Sequence, residues 1–173
     1  VRPVLYINKI DRLIKELRLP PEKMQEWLLE IITNFNRLID IYAEPEYKEK
    51  WKVSIQDGSV SFGSAKDKWG FNADVMKKKG ISFKDIYEAY SEGGDIKKLA
   101  EKAPLYDAVL GMVVKHHPSP DVAQKYRIPK IWKGDLDSDI GKALMNCDDN
   151  GPTVMMIVNM TVDPAAGPVA IGR

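Results

Sequence analysis

Residues 4–11 read Val4-Leu5-Tyr6-Ile7-Asn8-Lys9-Ile10-Asp11. The unbroken apolar run Val4–Ile7 has the character of a strand buried on both faces, as in a parallel sheet covered by helices. Asn-Lys-x-Asp hangs from its carboxyl end, where open α/β sheets bind their ligands. The chemistry of these four residues suits a guanine base. A carboxylate at Asp11 accepts from the ring N–H and the exocyclic amine of guanine together, whereas adenine presents a bare acceptor at the first position. Hydrogen bonds to a charged group contribute about 1.5–3 kcal/mol each, and a buried partner left unpaired costs about as much. Such a site rejects the wrong base strongly. Lys9 can lay its methylene stem along the base with its ammonium in water. Asn8, donor and acceptor at once, suits the pinning of neighbouring loops.

Alone, Asn-Lys-x-Asp is a short pattern. A second stretch, Val60-Ser61-Phe62-Gly63-Ser64-Ala65-Lys66, again reads as a short strand and ends in Gly-Ser-Ala-Lys. In guanine-nucleotide switch proteins a Ser-Ala-Lys loop offers the alanine N–H to the guanine carbonyl oxygen, and a small side chain lets the backbone approach the ring. With "VLYINKIDRLIKEL" (4–17), "SVSFGSAKDKWGF" (59–71) and "VDPAAGPVAIGR" (162–173) in order, the chain resembles the archaeal-type translation elongation factor 2 family over essentially all of its 173 residues. Eukaryotic members depart from Ser-Ala-Lys at the second box, which favours the archaeal branch.

The resemblance implies an α/β fold: the second half of a P-loop-type, doubly wound GTPase domain with a small helical insert, followed by the first strands of a β-barrel domain. It places the GTP-binding part at residues 1–118, with the insert at about 72–103. A linker follows at 119–150 and the start of the barrel at 151–173. It implies guanine recognition by Asn8, Lys9, Asp11, Ser64, Ala65 and Lys66, with GTP or GDP as cofactor. The chain departs from a whole GTPase in two ways. It has no G-x-x-x-x-G-K-[ST] loop to cradle phosphates and no Asp-x-x-Gly before Asn8 to meet magnesium. In the family both lie upstream, so the expectation is a fragment with no catalytic residue and no metal ligand of its own.

Composition sets wider bounds. The chain is 44% hydrophobic, enough for a core, and carries 26 basic against 25 acidic residues, which gives no global nucleic-acid footprint. A single cysteine, Cys147, excludes an internal disulfide and fits a reducing compartment. With no apolar stretch of membrane-spanning length, the expected setting is cytoplasmic, without membrane contact.

Along the chain, "RLIKEL" predicts a short helix ended by Pro20-Pro21. Met24, Trp27, Leu28, Ile31, Ile32, Phe35, Leu38, Ile39 and Tyr42 form one apolar stripe of a long helix stopped by Pro45. Residues 51–55 and 59–62 flank Asp57-Gly58 and predict a β-hairpin. Residues 67–81 read as a polar loop whose Lys77-Lys78-Lys79 is a solvated charge run. Ser82 and Asp85 suggest a capping box opening a helix with Phe83, Ile86, Tyr87 and Tyr90. A second helix carries Ile96 and Leu99. Their aromatic surface exceeds what two brief helices need internally; the resemblance implies that this insert faces the tails of the ribosomal stalk proteins, with packing of these side chains on the GTPase core as the competing reading. Pro104 starts a further helix, "HPSP" at 117–120 ends it, and an extended segment is expected to follow. From Thr153, Val154, Met156, Val158, Met160 and Val162 alternate as in a strand.

Other sites fall away on spacing. Asp135, Asp137 and Asp139 alternate as in a calcium loop, but Ile140 stands where its glycine belongs and Asn146 where its closing glutamate belongs. His116 and His117 are adjacent, about 100° apart on a helix, and Cys147 is the only thiol for a zinc site. The expectation is therefore part of a ribosome-dependent GTPase that drives translocation of tRNA and mRNA. By resemblance, its partners are the sarcin-ricin region and stalk proteins of the ribosome. Two alternatives stand beside it: another translational or ribosome-biogenesis GTPase of the superfamily, and a non-catalytic interaction module.

Overall fold

The opening apolar run forms strand β1 (Leu5–Ile7), which lies parallel to β2 (Val60–Ser64) with Ile7 opposite Phe62. A third strand, β3 (Trp69–Phe71), runs antiparallel to β2, giving the sheet order β1-β2-β3. A computed structural model describes residues 2–91 and 93–172. The chain divides into two compact units, one through His117 and one from Pro118.

In the first unit, every residue of β2 and β3 is buried, as strands covered on both faces must be. Phe62 and Phe71 meet edge to face at 4.5 Å, and Phe83 closes on both rings at 5.5 Å. The helices are α1 (Ile10–Lys15), α2 (Pro21–Tyr42), α3 (Lys48–Trp51), α4 (Ala73–Lys79), α5 (Phe83–Tyr90), α6 (Ile96–Lys102) and α7 (Leu105–His116). Pro21 occupies the first turn of α2, where its missing N–H costs nothing. Met24, Leu28, Ile32 and Ile39 of α2 join the core. Trp27, Leu38 and Tyr42, expected on the same stripe, stay exposed. A helix of 22 residues is about 33 Å long, more than strands of three to five residues can cover. Helix α5 opens on the expected capping box: Ser82 accepts from the Asp85 N–H, and Asp85 accepts from the Ser82 N–H.

Two local expectations are corrected, and of the two readings of the 82–103 side chains one is observed. Residues 51–55 do not pair with β2. The Asn36 side chain takes up both backbone groups of Val53, each at 2.9 Å, while Leu5 N–H donates to Ser59 O and β1 occupies the edge of β2. The Asp57-Gly58 turn forms, with Gly58 at φ +78°, but it is not a hairpin. Residues 67–81 are not a loop: they hold β3 and α4, whose first turn is capped by Asn72 accepting from the Val75 N–H. The surplus aromatics of 82–103 are packed inside the unit. Ile86 and Leu99 are buried, Phe83 stacks on Phe62, and Tyr87 donates to Leu19 O.

In the second unit, helices α8 (Pro120–Ile131) and α9 (Asp139–Asn146) occupy the stretch expected to be extended. Pro120 stands at the first turn of α8, where proline starts a helix rather than breaking it. Ser138 caps α9 by accepting from Gly141 N–H. Strands β4 (Ile157–Asp163) and β5 (Gly167–Gly172) pair antiparallel around an Asp163 turn, and β4 is exposed throughout. No described helix is long and apolar enough to cross a membrane.

Candidate guanine-recognition site

The parallel register of β1 and β2 brings the segments that follow them out at one end of the sheet. Asn8 joins them. Its Oδ1 accepts from Lys9 N–H at 2.8 Å and from Ala65 N–H at 3.0 Å, bridging the two boxes. Lys9 holds a left-handed conformation (φ +68°) as the residue before α1, a turn that asparagine side chains support locally. Asp11 falls in the first turn of α1, where the positive end of the helix favours a carboxylate. It is only 7% exposed, and its charge raises the pKa of the nearby Tyr6 and Tyr90 phenols.

The remaining members divide. Ser64 is fully buried, and its Oγ accepts from Asp67 N–H at 3.1 Å, closing the turn that presents Ala65. Ala65 and Lys66 are exposed at its tip. Gly63 lies opposite Gly70 in the ladder, and a Cβ on it would stand 2.3 Å from Trp69 O and 2.7 Å from Gly70 Cα. The sheet thus forces glycine just before the loop.

A polar cluster that the sequence does not announce braces this end of the sheet. Tyr90 on α5 donates to Asp67 Oδ2 at 2.5 Å and accepts from Trp69 Nε1 at 2.7 Å. Lys15 of α1 stands 3.7 Å from the same Asp67 oxygen and 4.7 Å from the centre of the Tyr90 ring. Burial, and then the bond to Asp67, push the Tyr90 phenol up. Tyr6 of β1 has a buried hydroxyl without a partner among the described residues, and burial with the nearby Asp11 charge pushes it up to about 12. Both phenols therefore stay protonated at neutral pH. The only sequence signal for Tyr90 is its place on the apolar period of α5, which marks it as packing rather than as a brace.

Asn8, Lys9 and Asp11 thus lie beside Ser64, Ala65 and Lys66 at one sheet end. Among the described residues no group of three or more acidic, histidine or cysteine side chains is placed to hold a metal ion. No family model matches the chain. Among curated proteins, elongation factor 2 of Cenarchaeum symbiosum (strain A) is 73% identical over 173 residues. Elongation factor 2 of Sulfurisphaera tokodaii is 56% identical over 175 residues, and that of Thermococcus kodakarensis 56% over 173. Each match takes in 100% of this chain but 24% of the relative, so the chain spans about a quarter of the length of the curated relatives it matches. Along its whole length, at 55–73% identity, the chain is similar to archaeal elongation factor 2.

Proposed function

We propose that this chain is the base-recognition part of a ribosome-dependent GTPase, elongation factor 2, which drives translocation of tRNA and mRNA in protein synthesis. The observation that carries the reading is the Asn8–Ala65 hydrogen bond, which holds Asn-Lys-x-Asp and Ser-Ala-Lys together at one sheet end. Asp11 takes the ring N–H and amine of guanine, Ala65 N–H its carbonyl oxygen, and Lys9 covers its face. Asn8 pins the loops, Ser64 shapes the turn, and Lys66 flanks the base from the exposed tip. Residues 1–118 are the second half of the GTP-binding domain, with 72–103 as its helical insert. Residues 119–150, helical rather than extended, lead to the first barrel strands in 151–173.

Hydrolysis of GTP rests on positioning and charge stabilisation around the phosphates. The groups that do this, with the magnesium ligands, belong to parts of the full-length protein outside this chain. Ribosomal contact, at the sarcin-ricin region and the stalk proteins, belongs to the whole cytoplasmic protein. The packed side chains of 82–103 do not support them as the stalk-docking face.

Exchange of the Asp11 carboxylate for an amide tests the reading. In the full-length protein Asp11→Asn weakens guanine nucleotides and favours xanthine nucleotides, because the amide donates to xanthine's second oxygen. Unchanged GDP affinity in an equilibrium titration sinks it.

A further inference from the structure

Guanine bridges two groups on different elements, the Asp11 carboxylate of α1 and the Ala65 N–H of the 64–67 turn. Its recognition therefore depends on the spacing between those elements, and displacements of about 1 Å are enough to lose a directed contact. Ala65 sits at an exposed tip, where backbone ordinarily moves most. The Asn8–Ala65 bond ties that tip to the segment after β1, and its register with α1 itself calls for a second tie.

We infer that Tyr90, through Asp67, is a positioning residue for guanine recognition, clamping the base loop of β2 to helix α1. The inference rests on the base-site reading given above. Asp67 lies two residues after Ala65, and its side chain is only 14% exposed. Its carboxylate is held from two directions, by the Tyr90 hydroxyl at 2.5 Å and by Lys15 at 3.7 Å. Lys15 lies four residues after Asp11 on α1, so the two share one face of the helix. Lys15 also stands over the Tyr90 ring at 4.7 Å, an attractive placement for a cation on an aromatic face. Tyr90 is itself fixed, because the fully buried Trp69 donates to its oxygen at 2.7 Å. The result is a closed set of contacts: base loop to Asp67, Asp67 to Lys15 and so to the helix of Asp11, and all three to Tyr90. Helix α5, which carries Tyr90, thereby bears on nucleotide affinity without touching the base.

The test is equilibrium titration of the full-length protein with GDP and IDP, which shares guanine's carbonyl oxygen but lacks its exocyclic amine. Tyr90→Phe keeps the ring and removes the bond to Asp67. Lys15→Met cuts the tie to α1 and leaves Trp69 and Tyr90 paired. Each is expected to weaken GDP and IDP by the same factor, about tenfold, the scale of one misdirected hydrogen bond. Asp11→Ala, by contrast, abolishes the preference for GDP over IDP. If both clamp variants bind GDP as wild type and lose only melting temperature, the contacts are structural and the positioning role is overturned while the base site stands. If Asp11→Ala binds GDP as wild type, the base-site reading fails and the clamp with it.

Discussion

The backbone N–H of Ala65 donates to Oδ1 of Asn8 at 3.0 Å, joining residues 57 positions apart in sequence. The donor assigned to the guanine carbonyl is therefore already satisfied within the chain. On the proposed reading, a guanine base shares or replaces that bond rather than finding an orphaned N–H. The two loops are held in place beforehand, at the cost of a smaller gain when the base arrives.

Loss of this bond should be read directly in amide exchange. Asn8→Ala leaves both Ala65 N–H and Lys9 N–H without their acceptor. A net contribution of about 1 kcal/mol for such a bond corresponds to roughly fivefold to tenfold faster exchange at Ala65. Unchanged protection by NMR would show that the bond does not hold the loop.

This chain by itself should bind GDP no better than millimolar. Two or three charged or backbone hydrogen bonds supply about 3–6 kcal/mol gross, and association costs on the order of 4 kcal/mol or more. Millimolar affinity is about −4 kcal/mol. The phosphates, which carry most of the charge, meet no P-loop here. Calorimetry at tens of micromolar is expected to show no saturable heat, and a micromolar dissociation constant would contradict the account.

His116 should make the first unit acid-sensitive. It is buried, its Nε2 has no partner among the described residues, and burial pushes its pKa down; Asp57 opposes the shift, while Arg2 and Lys115 reinforce it. With the folded value below the unfolded one, near 6.5, the neutral form is favoured by folding. That stability is fully present above the unfolded value and is lost as pH falls toward the folded one. The urea midpoint is expected to drop between pH 7.5 and 5.5, and His116→Leu to flatten that drop. Parallel declines in both proteins would assign the effect elsewhere.

The β4–β5 hairpin should drive association. Ile157, Val158, Met160, Val162 and Ile171 are exposed on a two-stranded sheet with open edges, the arrangement most prone to pair with another chain. Sedimentation is expected to show concentration-dependent association of the 173-residue chain and none after truncation before residue 150. Equal behaviour of the two would count against it.

What the sequence reveals tracks how local the cause is. The long helix from Pro21, the Ser82–Asp85 box and the helix after Pro104 each rest on spacing within one segment, and they form as expected. The hairpin at 51–62 fails because its competitors are distant: Asn36 supplies Val53 with both partners, and Leu5–Ile7 takes the strand edge. Helices α8 and α9 escape notice because prolines at 118, 120 and 129 and few apolar residues mask the period. The meeting of the two boxes at one sheet end is legible because each follows an apolar strand and the two strands pair in parallel. Tyr90, Asp67 and Lys15 are not, since their meeting depends on how α5 folds back over the sheet.

The close fit at Gly63, where a Cβ would stand 2.3 Å from Trp69 O, separates two kinds of constraint within one motif. Gly63 answers to the crossing of β2 and β3, and Ala65 to whatever approaches the loop. A descendant that lost its nucleotide would be free to drift at Ala65 while its sheet still demanded glycine at 63. In comparisons of distant relatives, a surviving glycine at 63 therefore testifies to the sheet alone, and the alanine is the position to watch for a lost ligand.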